Sequence, residues 1–486
     1  MSNNVLKDLK PYDVFKYFEE ITQIPRGSGN EKRISDYLVA FAKEHNLEVI
    51  QDEVLNVIIK KPGTAGYENA PIVIIQGHMD MVNEMNRGTA HDFDKDPLKL
   101  RIEGDMIYAT GTTLGADNGI AIAYALALLA AKDIPHPQIE VLMTTDEETG
   151  MSGAMELKAE HLDGRILINI DSEEEGKLLV SCAGGVRVAT KLPIDWESIN
   201  EGRVIATVRV RGLKGGHSGM EIHKGRGNSN KLMGRFLYDL QGALSYNLCS
   251  LNGGAKNNAI PREADAVLAI KVEDVHALKA MVESWNAVLR NELKASDPEV
   301  NIKVEMVSDK IDKVFSKDTT KKAVQLLYLI PNGIQTMSME IAGLVQSSTN
   351  LGVVTTTADE ISYDSATRSS VRTLKEDILY QAKIAAEVVG AKFSTKSDYP
   401  DWQYDANSKI RRVFEKVYKD ITGNDPEIIA LHAGVECGLF KEKFGDIDMI
   451  SFGPNLYDVH TPDEHMSISS TERMWDYFLA VLKEIK

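Results

Sequence analysis

The sequence predicts an α/β protein interrupted by a second, α+β domain, and three observations carry that reading. From 30 to 180, helical patterns alternate with short apolar runs: "RISDYLVAFAKEH", "PIVIIQG", "GIAIAYALALLAA", "IEVLMTT" and "RILINID". Between about 186 and 396 the pattern changes to strands of wider alternation, with long amphipathic helices between them. After 396 the first style returns in "IDMISFG" and the closing helix "TERMWDYFLAVLKEI". The predicted division is therefore a discontinuous first domain, 1–185 and 397–486, with 186–396 inserted into it.

The elements follow in order. "MSNNVLKDLKPYDVFKYFEE" has no apolar signal core and reads as a polar lead into an amphipathic helix. The apolar runs that alternate with helices predict largely parallel strands, whose carboxyl ends are where ligands bind in open α/β sheets. Charge comes immediately after four of these elements: His78 and Asp80, Asp146 to Glu148, Asp171 to Glu175, and His460 after "DMISFGPNLYDV". In the insertion, "RVIATVRVRG", "DAVLAIKV", "NIKVEMV" and "RSSVRT" read as strands, and "LKAMVESWNAVLRNEL" and "EDILYQAKIAAEVVG" as helices.

Composition narrows the function. At 486 residues the chain exceeds one typical core, and 43% hydrophobic with 26% charged residues is ordinary for a soluble globular protein. A formal net charge of −17 argues against nucleic-acid or anionic-membrane partners. The run "IAIAYALALLAA" is too short to span a bilayer. Cys182, Cys249 and Cys437 are an odd, widely spaced set that suits neither a disulfide framework nor a cysteine zinc site. A cytoplasmic enzyme or binding protein is expected.

Taken singly, the charged residues stay ambiguous. Asp117 in "GTTLGADNGIAIAYAL" reads first, in isolation, as a helix N-cap. The acids of "TTDEETG" suit a solvated turn, unless something cationic compensates their repulsion. Together with "INIDSEEEG" and "LYDVHTPDEH", they form a set of imidazoles and carboxylates at strand ends, which suits zinc or a similar divalent ion.

At this point "GHMDMV", "GADNGIA", "TTDEETG", "INIDSEE" and "DVHTPDE" resemble the motifs of the dinuclear zinc aminoacylase/carboxypeptidase-like metallopeptidases, specifically the cytosolic aminoacyl-histidine (Xaa-His, carnosinase-like) dipeptidases. The resemblance covers essentially the whole chain. It implies a catalytic domain with a mixed sheet flanked by helices, and an inserted lid and dimerisation domain. It also implies two Zn²⁺ ions, with Co²⁺ or Mn²⁺ as alternatives. His78, Asp117 and Asp171 would hold one ion, and Asp117, Glu148 and His460 the other, so that Asp117 bridges. A cis peptide after Asp117 is implied as well. Positions i and i+2 of a strand face the same way, so Asp80 can accept a hydrogen bond from the His78 ring. Glu148 resembles the ligand, which leaves its neighbour Glu147 as the general base.

In the insertion, "GGHSG" resembles the lid motif whose histidine, here His217, steadies the oxyanion. Asn258 in "NNAIPREA" is the candidate for substrate contact, and Arg368 in "SATRSSV" for the substrate carboxylate. Alone, His217 reads as an ordinary surface residue and Arg368 as a solvated strand charge. Glu436 in "LHAGVECGLF" could meet the substrate's amino group or simply begin a helix. Cys437 reads as packing. The expected activity is hydrolysis of dipeptides with a free N-terminus by a homodimer, in which His217 serves the neighbouring subunit's metals. An N-acyl amino acid deacylase and a catalytically silent metal- or peptide-binding protein stand as alternatives.

Overall fold

The computed structural model describes residues 4–307 and 311–486. The chain divides into two units: Met1–Ser181 with Tyr404–Ala430 and Val435–Lys486, and Cys182–Gln403 with Leu431–Gly434. The second unit therefore takes in more than 186–396. Its strand Gly184–Pro193 starts early enough to pair Gly185 with Tyr399 of the strand Lys392–Tyr399. The Ala183 N–H donates to the carbonyls of Leu431 (3.0 Å) and Ala433 (3.1 Å). These bonds group the 431–434 segment with the second unit.

The first unit is built on an eight-stranded sheet. Ile139–Thr144, Val73–His78, Ile166–Asn169 and Asp448–Ser451 lie side by side and parallel at its centre. Glu48–Gln51 and Val57–Lys61 are antiparallel at one side, so the sheet is mixed rather than largely parallel. Strand register then aligns the polar segments. His78 is level with Thr144, and Gln76 with Asn169, so the segments carrying His78, Glu147 with Glu148, and Asp171 all leave the same edge of the sheet. His460 comes from elsewhere. It sits in the loop between the paired strands Leu456–Tyr457 and His465–Ser467, part of a separate four-stranded sheet.

The long apolar run of the sequence is the helix Ala116–Ala130, in which every residue from Asn118 to Leu129 is buried. A helix that is apolar all round must be covered all round. The helix Tyr12–Ile21 and the strand Val73–His78 pack against it, and the Tyr124 hydroxyl bonds the Thr471 carbonyl (2.7 Å) in the closing helix Ile468–Glu484. Among the described residues, no helix is long and apolar enough to cross a membrane.

The second unit is α+β: a nine-stranded sheet, antiparallel at its recorded pairings, with the helices Ser229–Ala243, Val275–Glu292, Lys317–Leu329 and Arg372–Val389. Its core gathers Leu237, Phe236, Leu268, Leu327 and Tyr363. The stretch "RSSVRT" is not one strand. The strand Glu360–Ser369 ends within it and the helix begins at Arg372, after an extended Val371.

Close approach of helix and sheet near the site depends on one glycine. A Cβ on Gly77 would lie 2.4 Å from both Ala121 Cβ and Asn118 Oδ1. Asn118 Oδ1 also accepts the His78 N–H (3.1 Å). We therefore expect Gly77→Ala to destabilise the protein by about 1–3 kcal/mol through overpacking, measured by denaturant unfolding. An unchanged midpoint would show that the helix can retreat freely.

Candidate metal centre

The Asp117 carboxylate lies between two imidazoles. Its Oδ1 is 3.2 Å from His78 Nε2 and its Oδ2 is 3.0 Å from His460 Nε2. Glu148 Oε1 stands 3.1 Å from the same His460 nitrogen, and Asp171 Oδ1 3.5 Å from His78 Nε2. His78, Asp117 and Glu148 each place a ligand atom within 4.8 Å of the others. Zinc–nitrogen and zinc–oxygen bonds of about 2.1 Å at tetrahedral angles put neighbouring donors about 3.4 Å apart, so these spacings suit donors of a shared cation. The five expected ligands are brought together.

Electrostatics agree. His460, bonded to Asp117 and Glu148, is pushed up to about 11. Burial pushes Glu147 up to about 9; His78 opposes this, and Asp171, Glu436 and Glu148 add to it. Burial likewise carries Asp171 to about 6 and Glu173 to about 7, with neighbouring carboxylates contributing to both. So many crowded acids call for positive charge, and divalent cations would supply it.

The supporting residues are better defined than the sequence suggested. Asp80 Oδ1 lies 3.3 Å from His78 Nδ1, close enough to attract it but not aligned for a hydrogen bond. Its aligned bonds are with the Ser28 hydroxyl (2.8 Å) and the backbone N–H groups of Glu147 (3.0 Å) and Glu148 (3.2 Å). Burial would raise this carboxyl, but His78, Ser28 and the Glu147 N–H bring it down to about 2. Asp80 thus holds the segment that presents both glutamates, a role the i, i+2 argument missed.

Sequence reasoning also missed Arg26. This fully buried guanidinium donates to the carbonyls of Met79 (2.9 Å), Asp80 (3.0 Å) and Gly115. Gly115 must be glycine: its φ is +67°, and a Cβ would lie 2.6 Å from Arg26 Nη2. The Asp117–Asn118 peptide is cis, and the Asn118 side chain spans from the His78 N–H to the Ile170 carbonyl. Glu464 was missed too. It is buried four residues beyond His460 and accepts backbone N–H groups from Leu114 to Asp117. Its only signal was a second acid in "HTPDE".

Glu436 begins the helix Glu436–Phe444 and is buried. Its Oε2 accepts Gln76 Nε2 (2.6 Å) and the Thr144 hydroxyl (2.9 Å), while its Oε1 has no hydrogen-bond partner among the described residues. Burial pushes it up to about 8, with His78 opposing and Asp171 adding. Cys437 beside it is fully buried. His465 stacks on Tyr108 and Tyr457 and stays outside the cluster.

The remaining candidates belong to the second unit. His217 pairs with Ala259 across a two-residue ladder, and the Asn258 carbonyl accepts the Ser218 N–H (2.9 Å). Both His217 and Asn258 line a cavity of about 660 Å³. His217 Nδ1 accepts N–H bonds from Met220 (2.9 Å) and Gly219 (3.3 Å), so the neutral ring carries its proton on Nε2. Burial, then Arg368, lowers its pKa and favours that neutral form. Arg368 lies on its expected strand and donates to the Tyr399 hydroxyl (2.7 Å). His432 pairs with the Ser348 hydroxyl (2.7 Å) and is pushed down to about 3 by burial, with Arg368 and His217 adding.

Known proteins match this architecture along its length. The cytosol non-specific dipeptidase of Escherichia coli K12 is 40% identical over 480 residues, 99% of each chain. The crystal structure of aminoacylhistidine dipeptidase from Vibrio alginolyticus, also 40% identical, superposes with a TM-score of 0.96 over 99% of this chain and 98% of that one. An aminopeptidase PepT structure from Bacillus cereus shares the fold at 15% identity, with a TM-score of 0.57 over 98% and 99% of the two chains. The motif resemblance, the clustered ligands and the match of residues 74–484 to Peptidase family M20/M25/M40 converge: the chain belongs to that peptidase family.

Proposed function

We propose that the protein is a metal-dependent dipeptidase acting on dipeptides with a free N-terminus, Xaa-His among them. The observation that carries this is the Asp117 carboxylate shared between His78 and His460. The full-length likeness to two dipeptidases supports the substrate class. A cytosolic location is proposed from the name of the Escherichia coli relative.

Two divalent cations, zinc with cobalt or manganese as substitutes, would be held by His78, Asp117 and Asp171 and by Asp117, Glu148 and His460, supplying Lewis acidity toward a water and the scissile carbonyl. Side chains do the rest, with His217 supplied by the neighbouring subunit. Glu147 takes a proton from the attacking water on its carboxylate and passes it to the leaving amine nitrogen. Asp80 fixes the Glu147 and Glu148 backbone while its charge orients the His78 ring. His217 donates from Nε2 to the carbonyl oxygen as negative charge develops there. Arg368 binds the substrate carboxylate, Asn258 contacts the substrate, and the unbonded Oε1 of Glu436 accepts from its ammonium group.

Chelation should abolish activity and Zn²⁺ should restore it, with two ions per active chain. Glu147→Ala should keep both ions yet lose about 10²–10⁴ in turnover. Metal content falling together with activity would exchange the roles of Glu147 and Glu148. Arg368→Ala should mainly raise KM, because its contact exists in both ground and transition states. Amidating the substrate's C-terminus should then cost the wild type heavily and the variant little; an equal loss in both would place carboxylate recognition elsewhere.

The proposed assembly is a homodimer in which His217 serves the neighbouring subunit. Co-expressed Glu147→Ala and His217→Ala chains, each nearly inactive alone, should regain up to about half of wild-type activity in mixed dimers, since one of the two sites is then intact. Verified mixed dimers without recovery would place His217 in its own chain's site.

A further inference from the structure

We propose that Glu464 is a positioning residue for the paired metal site, clamping the segment that carries Asp117 to the loop that carries His460. The inference rests on the dinuclear reading of the site. Glu464 is 2% exposed. Its Oε2 accepts the N–H groups of Leu114 (2.7 Å) and Gly115 (2.9 Å), and its Oε1 those of Ala116 (2.8 Å) and Asp117 (3.3 Å). Four consecutive backbone donors thus converge on one carboxylate. They converge because Gly115 takes a left-handed conformation just before the helix Ala116–Ala130, where backbone N–H groups have no acceptor within the helix. Among the described residues, no side chain at the N-cap position takes any of them.

The other end of the clamp is equally fixed. The Glu464 N–H donates to the Thr461 carbonyl (3.0 Å), and the Thr461 hydroxyl to the Asp458 carbonyl (2.7 Å), closing the loop around His460. Asp458 and His460 themselves hold positive φ, 51° and 63°. Arg26 grips the Gly115 carbonyl. The Asp117 and His460 side chains, 343 residues apart in sequence, are therefore registered to one another through a single carboxylate.

The first cation site, His78–Asp117–Asp171, draws its other ligands from strand ends that the sheet already holds. The second, Asp117–Glu148–His460, needs the loop. Removing the clamp should therefore weaken the second site selectively, whereas a residue that only caps a helix would lower overall stability and affect both sites alike. Glu464→Gln keeps the shape but turns an amide donor toward backbone donors, losing at least two of the four bonds. Glu464→Asp keeps charge and both oxygens on a shorter stem.

The test is a Mn²⁺ titration of the chelator-stripped full chain, followed by calorimetry and by the spin-coupled signal of a manganese pair. Wild type should bind two ions stepwise and give the coupled signal. In Glu464→Gln the first step should stay within about threefold and the second weaken about 10–100-fold, the range for residues supporting metal ligands, with the coupled signal delayed to match. Glu464→Asp should recover part of the second step. An unchanged second step, or both steps falling together, overturns the clamp. Should Glu464→Gln fail to fold, Glu464→Asp carries the test, and a wild-type second step in that variant overturns the clamp. One binding step in wild type defeats the dinuclear reading and takes the clamp with it; two steps in wild type and in both variants, all alike, defeat the clamp alone.

Discussion

Everything in the site is arranged around one shared carboxylate. Asp117 has two oxygens and spends one on each histidine, and this requires His78, from the sheet, and His460, from a distant hairpin loop, to arrive on opposite sides of it. A carboxylate in that position is costly to bury unless positive charge surrounds it. The bonds to His460 and His78 overcome the burial that would raise it and hold its pKa below the usual range. The same demand explains why Glu147, Asp171 and Glu173, which lack such complete pairing, are pushed the other way.

The framework meets that constraint with backbone as much as with side chains. Arg26 bonds the carbonyls of 79, 80 and 115, and Asp80, besides the Ser28 hydroxyl and the His78 ring, takes the backbone N–H groups of 147 and 148. Fixing main chain rather than side-chain tips sets the direction from which each ligand leaves the fold. The Asn118 amide does the same between the His78 N–H and the Ile170 carbonyl, placing the segment that leads to Asp171.

What could be read in the sequence was what local pattern encodes. The apolar strands, the burst of charge after each, and the buried helix following "GADNG" all depend on near neighbours, and the strands and helix form much as expected. The polar network beneath the site does not. Arg26 lies in "QIPRGSGN", a stretch with no apolar periodicity, and its partners are carbonyls up to 89 residues away. Gln76 interrupts an otherwise apolar strand, a visible irregularity, but its partners Glu436 and Asn169 come from other elements and only the folded sheet pairs them. The 431–434 segment groups with the second unit, and local pattern is silent on this for a similar reason: its hydrogen bonds reach Ala183, nearly 250 residues earlier.

The helix Ala116–Ala130, whose first turn carries the bridging aspartate, has no free face. Because every residue from Asn118 to Leu129 is buried, a change on any side of it meets packed neighbours, and a shift of the helix carries Asp117 with it. The segment most tolerant by composition, a run of alanines, leucines and isoleucines that exchange readily elsewhere, is thereby the one that geometry leaves least room to change.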